Sequence, residues 1–306
     1  MVKERVFLRV AVAALFGGLG VWAMVARRDR PDEEVAAVIA RPPAPPIGEP
    51  IAADDATAAT ERRALEQAML GGLPLVRVVE RGDTGVLGLV LAGRDALGAW
   101  ERLSEGVAES GRWPVVLGDG WAVRAHDEAT RSTGDAPDAI VRRARTFDLD
   151  AWIATRLATS RPREGDWPEE IPEPVPVRSR VVRDALDLPV PEVAVALVPT
   201  RDPAEVPAWL AFGNWAGCPE PTVHVAMLTR WRERYGAEVV ALGADVIELR
   251  VARPPADREA AMALAREQIA YAPDLLADGT RSIAQIAASR IGAPTWTLQW
   301  ARTSRR

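Results

Sequence analysis

Glu238-Val239-Val240-Ala241-Leu242-Gly243-Ala244-Asp245-Val246-Ile247-Glu248-Leu249-Arg250-Val251 is the stretch on which the fold turns. Apolar residues alternate on both sides of a Gly-Ala-Asp turn, which predicts a hairpin with strands over 239–242 and 246–251. Pro254 and Pro255 stop the second strand, because proline cannot donate to a ladder. Beyond them Asp257 caps a predicted helix that reaches Tyr271. A second helix follows over 282–291, and a strand over 295–300 closes the region. On the other side of the hairpin lies a helix over 221–235, opened by Pro221 and ended by Gly236. His224, Met227, Leu228, Trp231 and Tyr235 share one face of it. Before that come a strand over 193–198, a short helix over 203–210 that starts with proline, and a glycine-containing loop over 212–219. Strands and helices do not alternate regularly. The expected class is therefore α+β, a mixed or antiparallel sheet with flanking helices, after an N-terminal membrane-targeting helix.

Further upstream, residues 61–70 read as a helix, and 75–80 with 86–91 as a second hairpin across a turn at 81–85. Asp95 caps an expected helix with Leu97, Trp100, Leu103 and Val107 on one face, ending at Gly111. A strand over 114–117 and helices over 137–145 and 149–158 follow. Gly82, Gly85 and Gly88 have the spacing of a phosphate loop, but they lie between two strands, where a hairpin turn accounts for them. Pro162, Pro168, Pro172, Pro174 and Pro176 exclude a helix or central strand over 161–177. That stretch either separates two subdomains or wraps the surface of one. The expected division is 61–160 as an N-terminal α+β subdomain, 161–185 as a proline-rich spacer, and 186–306 as a C-terminal α+β domain.

Residues 10–26 carry no charge and follow Lys3, Arg5 and Arg9. A helix of that length spans roughly 25 Å, and it reaches membrane thickness if extended to Val6 with Arg9 at the interface. Residues 1–30 thus read as a signal anchor or a cleaved signal peptide, with membrane contact through residues 6–26. Arg27, Arg28 and Arg30 balance the basic residues on the other side, so orientation is not fixed by charge. Pro31, Pro42, Pro43, Pro45, Pro46 and Pro50 make 31–60 a Pro/Ala-rich linker. The expectation is a membrane-anchored protein with an extracytoplasmic body; a cytoplasmic body and a cleaved, secreted form are the alternatives.

A net charge of -5 gives no basic surface for nucleic acid, so nucleic acid is not an expected partner. One cysteine and two histidines exclude an intrachain disulfide, a multi-cysteine metal site and a His-rich one. No metal and no cofactor is expected.

Several segments together resemble the domain-of-unknown-function family numbered 4253 (DUF4253) over residues 193–300. They are Val195-Ala196-Leu197-Val198-Pro199, the 212–219 loop, Trp231, Tyr235-Gly236-Ala237-Glu238, Glu248-Leu249 and Arg253-Pro254-Pro255. Glu267-Gln268, Tyr271, Pro273-Asp274, Trp296 and Trp300 complete the set. The resemblance brings no activity with it. It also marks departures: Ala216 stands where the family commonly has asparagine, Ala272 where it has cysteine, and Ala301 where it often has aspartate.

The loop over 212–219 carries the candidate site. Cys218 precedes a helix start, where the helix field favours a thiolate, and His224 follows one turn into that helix. Cys218, His224, Glu248 and Asp274 are the candidate catalytic residues, because a thiol nucleophile needs a base and a group to orient it. A buried cysteine and a satisfied histidine are the plainer account. Phe212, Asn214, Trp215 and Cys218 are the candidate binding residues, since aromatics on a loop make a recognition surface unless they pack beneath it. The departures from the family pattern lead to a membrane-tethered, non-catalytic binding module for a protein or small ligand. The alternatives are a hydrolase or transferase using Cys218 and nearby carboxylates, and a toxin-neutralising immunity-type protein, for which no particular residue speaks.

Overall fold

A computed structural model of the chain describes residues 43–81, 85–171, 173–174, 179–184, 186–215, 217–276 and 281–301. The expected membrane-targeting helix at 6–26 and the first part of the linker lie outside them. Among the described residues no helix is long and apolar enough to cross a membrane. Pro45–Arg306 forms one compact unit.

The described strands are β1 (Glu49–Pro50), β2 (Leu75–Val79), β3 (Val86–Leu91), β4 (Trp113–Gly118), β5 (Val193–Val198), β6 (Ala237–Leu242), β7 (Val246–Val251) and β8 (Thr295–Gln299). They make one mixed sheet in the order β1-β2-β3-β5-β4-β6-β7-β8. Every pairing is antiparallel except β4 with β6, where Val116 meets Ala241. β5 is a continuous apolar run, Val-Ala-Val-Ala-Leu-Val, and all six residues are buried. Such a run without alternation is what a strand covered on both faces requires. Gly88 lets β3 come close to β5, since a Cβ there would lie 2.4 Å from the Val195 carbonyl oxygen. Pro114 has no N–H to give to the ladder, and the Trp113 indole N–H instead donates to the Val239 carbonyl at 2.9 Å. That bond joins β4 to β6 beside their single register pair.

The helices that cover the sheet are α1 (Ala59–Gln67), α2 (Gly93–Glu105), α3 (Val107–Ser110), α4 (Gly120–Ser132), α5 (Pro137–Arg145), α6 (Leu149–Ser160), α7 (Val206–Trp209), α8 (Pro221–Tyr235), α9 (Arg258–Tyr271) and α10 (Ile283–Ala288). Helix α2 packs on β4 and β5, α4 on β2 and β4, α8 on β6, and α9 on α6 and α10. Their ends follow local chemistry. The Asp257 side chain caps α9, and Ser282 with Gln285 forms a capping box on α10. Gly236, at φ 62°, ends α8.

The sequence reading holds in outline and differs in four places. Strands from the segments 61–160 and 186–306 share one sheet, because β5 sits between β3 and β4. Residues 45–60 are not plain linker: β1 pairs with β2, and a short 3-10 turn at Ala56–Ala58 leads into α1. The stretch after α6 follows the second of its two readings and wraps the surface, with the Ile283 and Ala284 N–H groups donating to the Arg163 and Glu164 carbonyls at 3.0 Å each. Asp95 lies inside the first turn of α2 and caps nothing there, since α2 starts at Gly93 and breaks at Gly106. Helix α4 was not foreseen at all. Its Asp119 cap, which accepts from the Trp121 and Ala122 N–H groups, was the signal that could have found it.

Candidate functional site

The 212–219 loop turns sharply because three of its residues sit in the left-handed region: Gly213 at φ 107°, Asn214 at 67° and Gly217 at 80°. Only glycine fits at 213. A Cβ there would lie 2.0 Å from the Pro219 carbonyl oxygen and 2.6 Å from His224 Nε2. The Asn214 N–H donates to the Pro219 carbonyl at 2.7 Å, and the Cys218 N–H to the Trp215 carbonyl at 2.9 Å. Outside the turn, the Arg156 guanidinium donates to the Gly217 carbonyl at 3.1 Å and to the Ala270 carbonyl at 3.2 Å. The loop is thereby tied to the end of α9.

This turn folds Cys218 back against the first turns of α8. Its Sγ lies 3.4 Å from His224 Nε2, and His224 Nδ1 lies 2.5 Å from the Tyr271 hydroxyl. Cys218 is 6% exposed, while His224 and Tyr271 are fully buried. Aromatic rings enclose the imidazole edge-on, with centroids at 4.9 Å for Phe212, 5.1 Å for Tyr271 and 5.4 Å for Trp300. The Trp300 indole N–H donates to the Tyr271 carbonyl at 3.0 Å, locking the end of β8 to the end of α9. The Trp231 indole N–H donates to Glu267 at 2.8 Å, and Arg234 reaches the same carboxylate at 2.7 Å.

Burial pushes the His224 imidazole down to about 3, and only the Pro219 carbonyl pulls it back toward its ordinary value. The ring is neutral at pH 7 and has one N–H to give. The Pro219 carbonyl favours the tautomer with its proton on Nε2, the nitrogen that Cys218 Sγ also contacts. The Tyr271 hydroxyl then donates to Nδ1. Burial, and then the nearby Cys218, raises the Tyr271 hydroxyl well above the ordinary phenol value. In that tautomer Nε2 has no lone pair with which to take a thiol proton. A thiolate–imidazolium pair would also put two charges where burial strips most of their hydration.

The two carboxylates lie in other networks. Glu248 accepts from the Arg180 N–H at 2.6 Å, and its carboxylate also takes the Ser179 side chain and the Val181 N–H. Burial raises its pKa above the ordinary carboxylate value, and those donors oppose the rise. Asp274 is exposed and accepts the Ala301 N–H. Since both ring nitrogens of His224 are committed, neither acid can orient the imidazole. Of the expected binding residues, Phe212 and Cys218 are buried, Asn214 is exposed, and Trp215 is half-buried with its ring 5.0 Å from Phe212.

Among the expected residues the structure therefore brings together Phe212, Cys218 and His224. Tyr271 and Trp300 complete the cluster without having been singled out as site residues. Their signal was faint: Tyr271 is one of only two tyrosines and sits at a helix end. Two departures from the family pattern fall beside this cluster. Ala272 follows Tyr271 and is fully buried, and Ala301 follows Trp300; Ala216 lies outside the described residues. Among the described residues no three His, Cys, Asp or Glu side chains gather as metal ligands.

No curated protein and no solved structure matches the chain. The segment that holds the cluster is nonetheless one of a known kind: residues 194–301 match the family model described as Domain of unknown function (DUF4253).

Proposed function

We propose that this chain is a non-catalytic binding module that holds a protein or small ligand at the surface around the 212–219 loop. The observation that carries the reading is the state of His224, a neutral ring with both nitrogens committed inside an aromatic cage. A catalytic dyad needs an exposed thiol and a base free to take its proton. Here the same residues hold the loop in one shape, with Asn214 exposed and Trp215 half-buried beside it as the recognition surface. Half-buried aromatics on a fixed loop give contact area at low entropic cost. In the same reading residues 6–26 tether the module to a membrane, with the body on the extracytoplasmic side; the support is the charge-free run and the prolines after it.

The direct test is thiol labelling of the full-length chain at neutral pH. Labelling that is slow in the native state and fast only after unfolding agrees with a structural thiol. Fast native labelling, accompanied by loss of a measurable turnover, sinks the module reading in favour of a hydrolase or transferase. Partner capture by the full-length chain, and its loss on Trp215→Ala, tests the surface itself. Membrane fractionation tests the tether, and recovery wholly in the soluble fraction removes that part.

A further inference from the structure

Arg290 follows α10 and is partly buried. Its Nε donates to Gln268 Oε1 at 2.6 Å and its Nη1 to the Ser289 hydroxyl at 3.2 Å. Both acceptors are neutral, and no carboxylate pairs with it among the described residues. The Ala287 and Ala288 oxygens at the end of α10 accept the Arg290 and Ile291 backbone N–H groups. Burial, and then the like charge of Arg281, lowers its pKa to about 10. Gln268 is fully buried, its amide orientation is fixed by the bond to Arg290, and its Nε2 has no acceptor. A guanidinium carries five N–H donors, of which these contacts use two. Three remain on Nη1 and Nη2, whose end-on fork is the face that receives two oxygens of one anion.

We propose that Arg290 and Gln268 form a binding site for an oxyanion, a carboxylate or phosphate group of a small ligand. A charge this far withdrawn from water is ordinarily paired, and among the described residues this one has no acid. Arg281 adds positive potential without being a ligand. Ser289 holds one arm of the fork in place, since its own hydroxyl already donates to the Ile286 carbonyl at 2.7 Å. The inference is independent of how the 212–219 loop is read.

The experiment titrates the full-length chain with inorganic phosphate and, separately, with acetate, at fixed pH and at ionic strength matched with chloride. A saturable rise in melting temperature is expected with at least one of the two probes and not with chloride. Arg290→Lys keeps the charge but loses the fork, and should weaken that response at least tenfold. Gln268→Met should weaken it at least threefold through the lost Nε2 donor. Arg266→Gln, which removes an exposed pairing with Glu164, should leave it unchanged. No saturable response in the wild-type chain, or an equal response in Arg290→Lys, overturns the site. Should Arg290→Lys not fold, Gln268→Met decides with the probe that gives the response: a response weakened at least threefold supports the site, and one equal to wild type overturns it.

Discussion

His224 and Glu248 are both buried, both ionisable and both pressed by burial toward their neutral forms. Their surroundings differ. Around His224 the neighbours are rings, one thiol and one phenol, and the Pro219 carbonyl alone rewards a charge. Around Glu248 two backbone N–H groups and a hydroxyl converge, so the carboxylate is solvated by the chain itself. The contrast separates two uses of a buried polar group. His224 fills space and fixes a loop as a neutral part of the core. Glu248 pins the 179–181 segment through directed hydrogen bonds.

The largest expected effect belongs to His224→Ala. It empties a ring-sized space inside the aromatic cage and strands the Tyr271 hydroxyl, and should cost about 3–5 kcal/mol by denaturant unfolding. Glu248→Ala leaves the donors of the 179–181 segment without their acceptor and should cost about 1–3 kcal/mol. Glu248→Gln keeps one acceptor and should stay within about 1 kcal/mol of wild type. If Glu248→Ala proves costlier than His224→Ala, the ranking of packing over pinning is broken.

Acid titration sharpens the same contrast, because the two groups pull in opposite directions. His224 has a depressed folded pKa, so its contribution is present above the ordinary histidine value of 6.5 and is lost as pH falls toward about 3. Glu248 has a raised folded pKa, so its contribution is greatest below the ordinary carboxylate value and is lost as pH rises through the folded one. His224→Gln should therefore flatten the loss of stability between pH 6.5 and 3, and Glu248→Gln should steepen it. The smallest effect is expected from Cys218→Ser, about 1 kcal/mol or less, because a hydroxyl can keep the contact with the imidazole.

Much of the C-terminal half was legible because its signals are local. Pro221 and Gly236 bracket α8, Asp257 caps α9, and the alternation on either side of Gly243 gives β6 and β7. Helix α4 was not, because its buried face is thin: Ala122, Val123, His126 and Thr130 do not make an apolar stripe. Strand β1 escaped notice because two residues in a proline-rich stretch carry no period. At the site, the nearness of Cys218 to His224 follows from a short loop entering a helix. Tyr271, 47 residues away from His224, had no local signal. Glu248 and Asp274 were expected to converge because sequence shows chemistry without direction; each spends its oxygens on a neighbouring backbone.

The place of β5 between β3 and β4 bears on how the chain is made and inherited. As the nascent chain leaves the ribosome, β3 and β4 emerge long before the strand that joins them, and Leu87 must wait for Leu197. Until then each offers an unpaired apolar edge, the kind of surface that chaperones shield. The smallest heritable unit is also larger than the segment that matches the family. A gene fusion carrying residues 194–301 alone would carry β5 without either of its partners. Recombination that preserves the fold has to bring the upstream strands along.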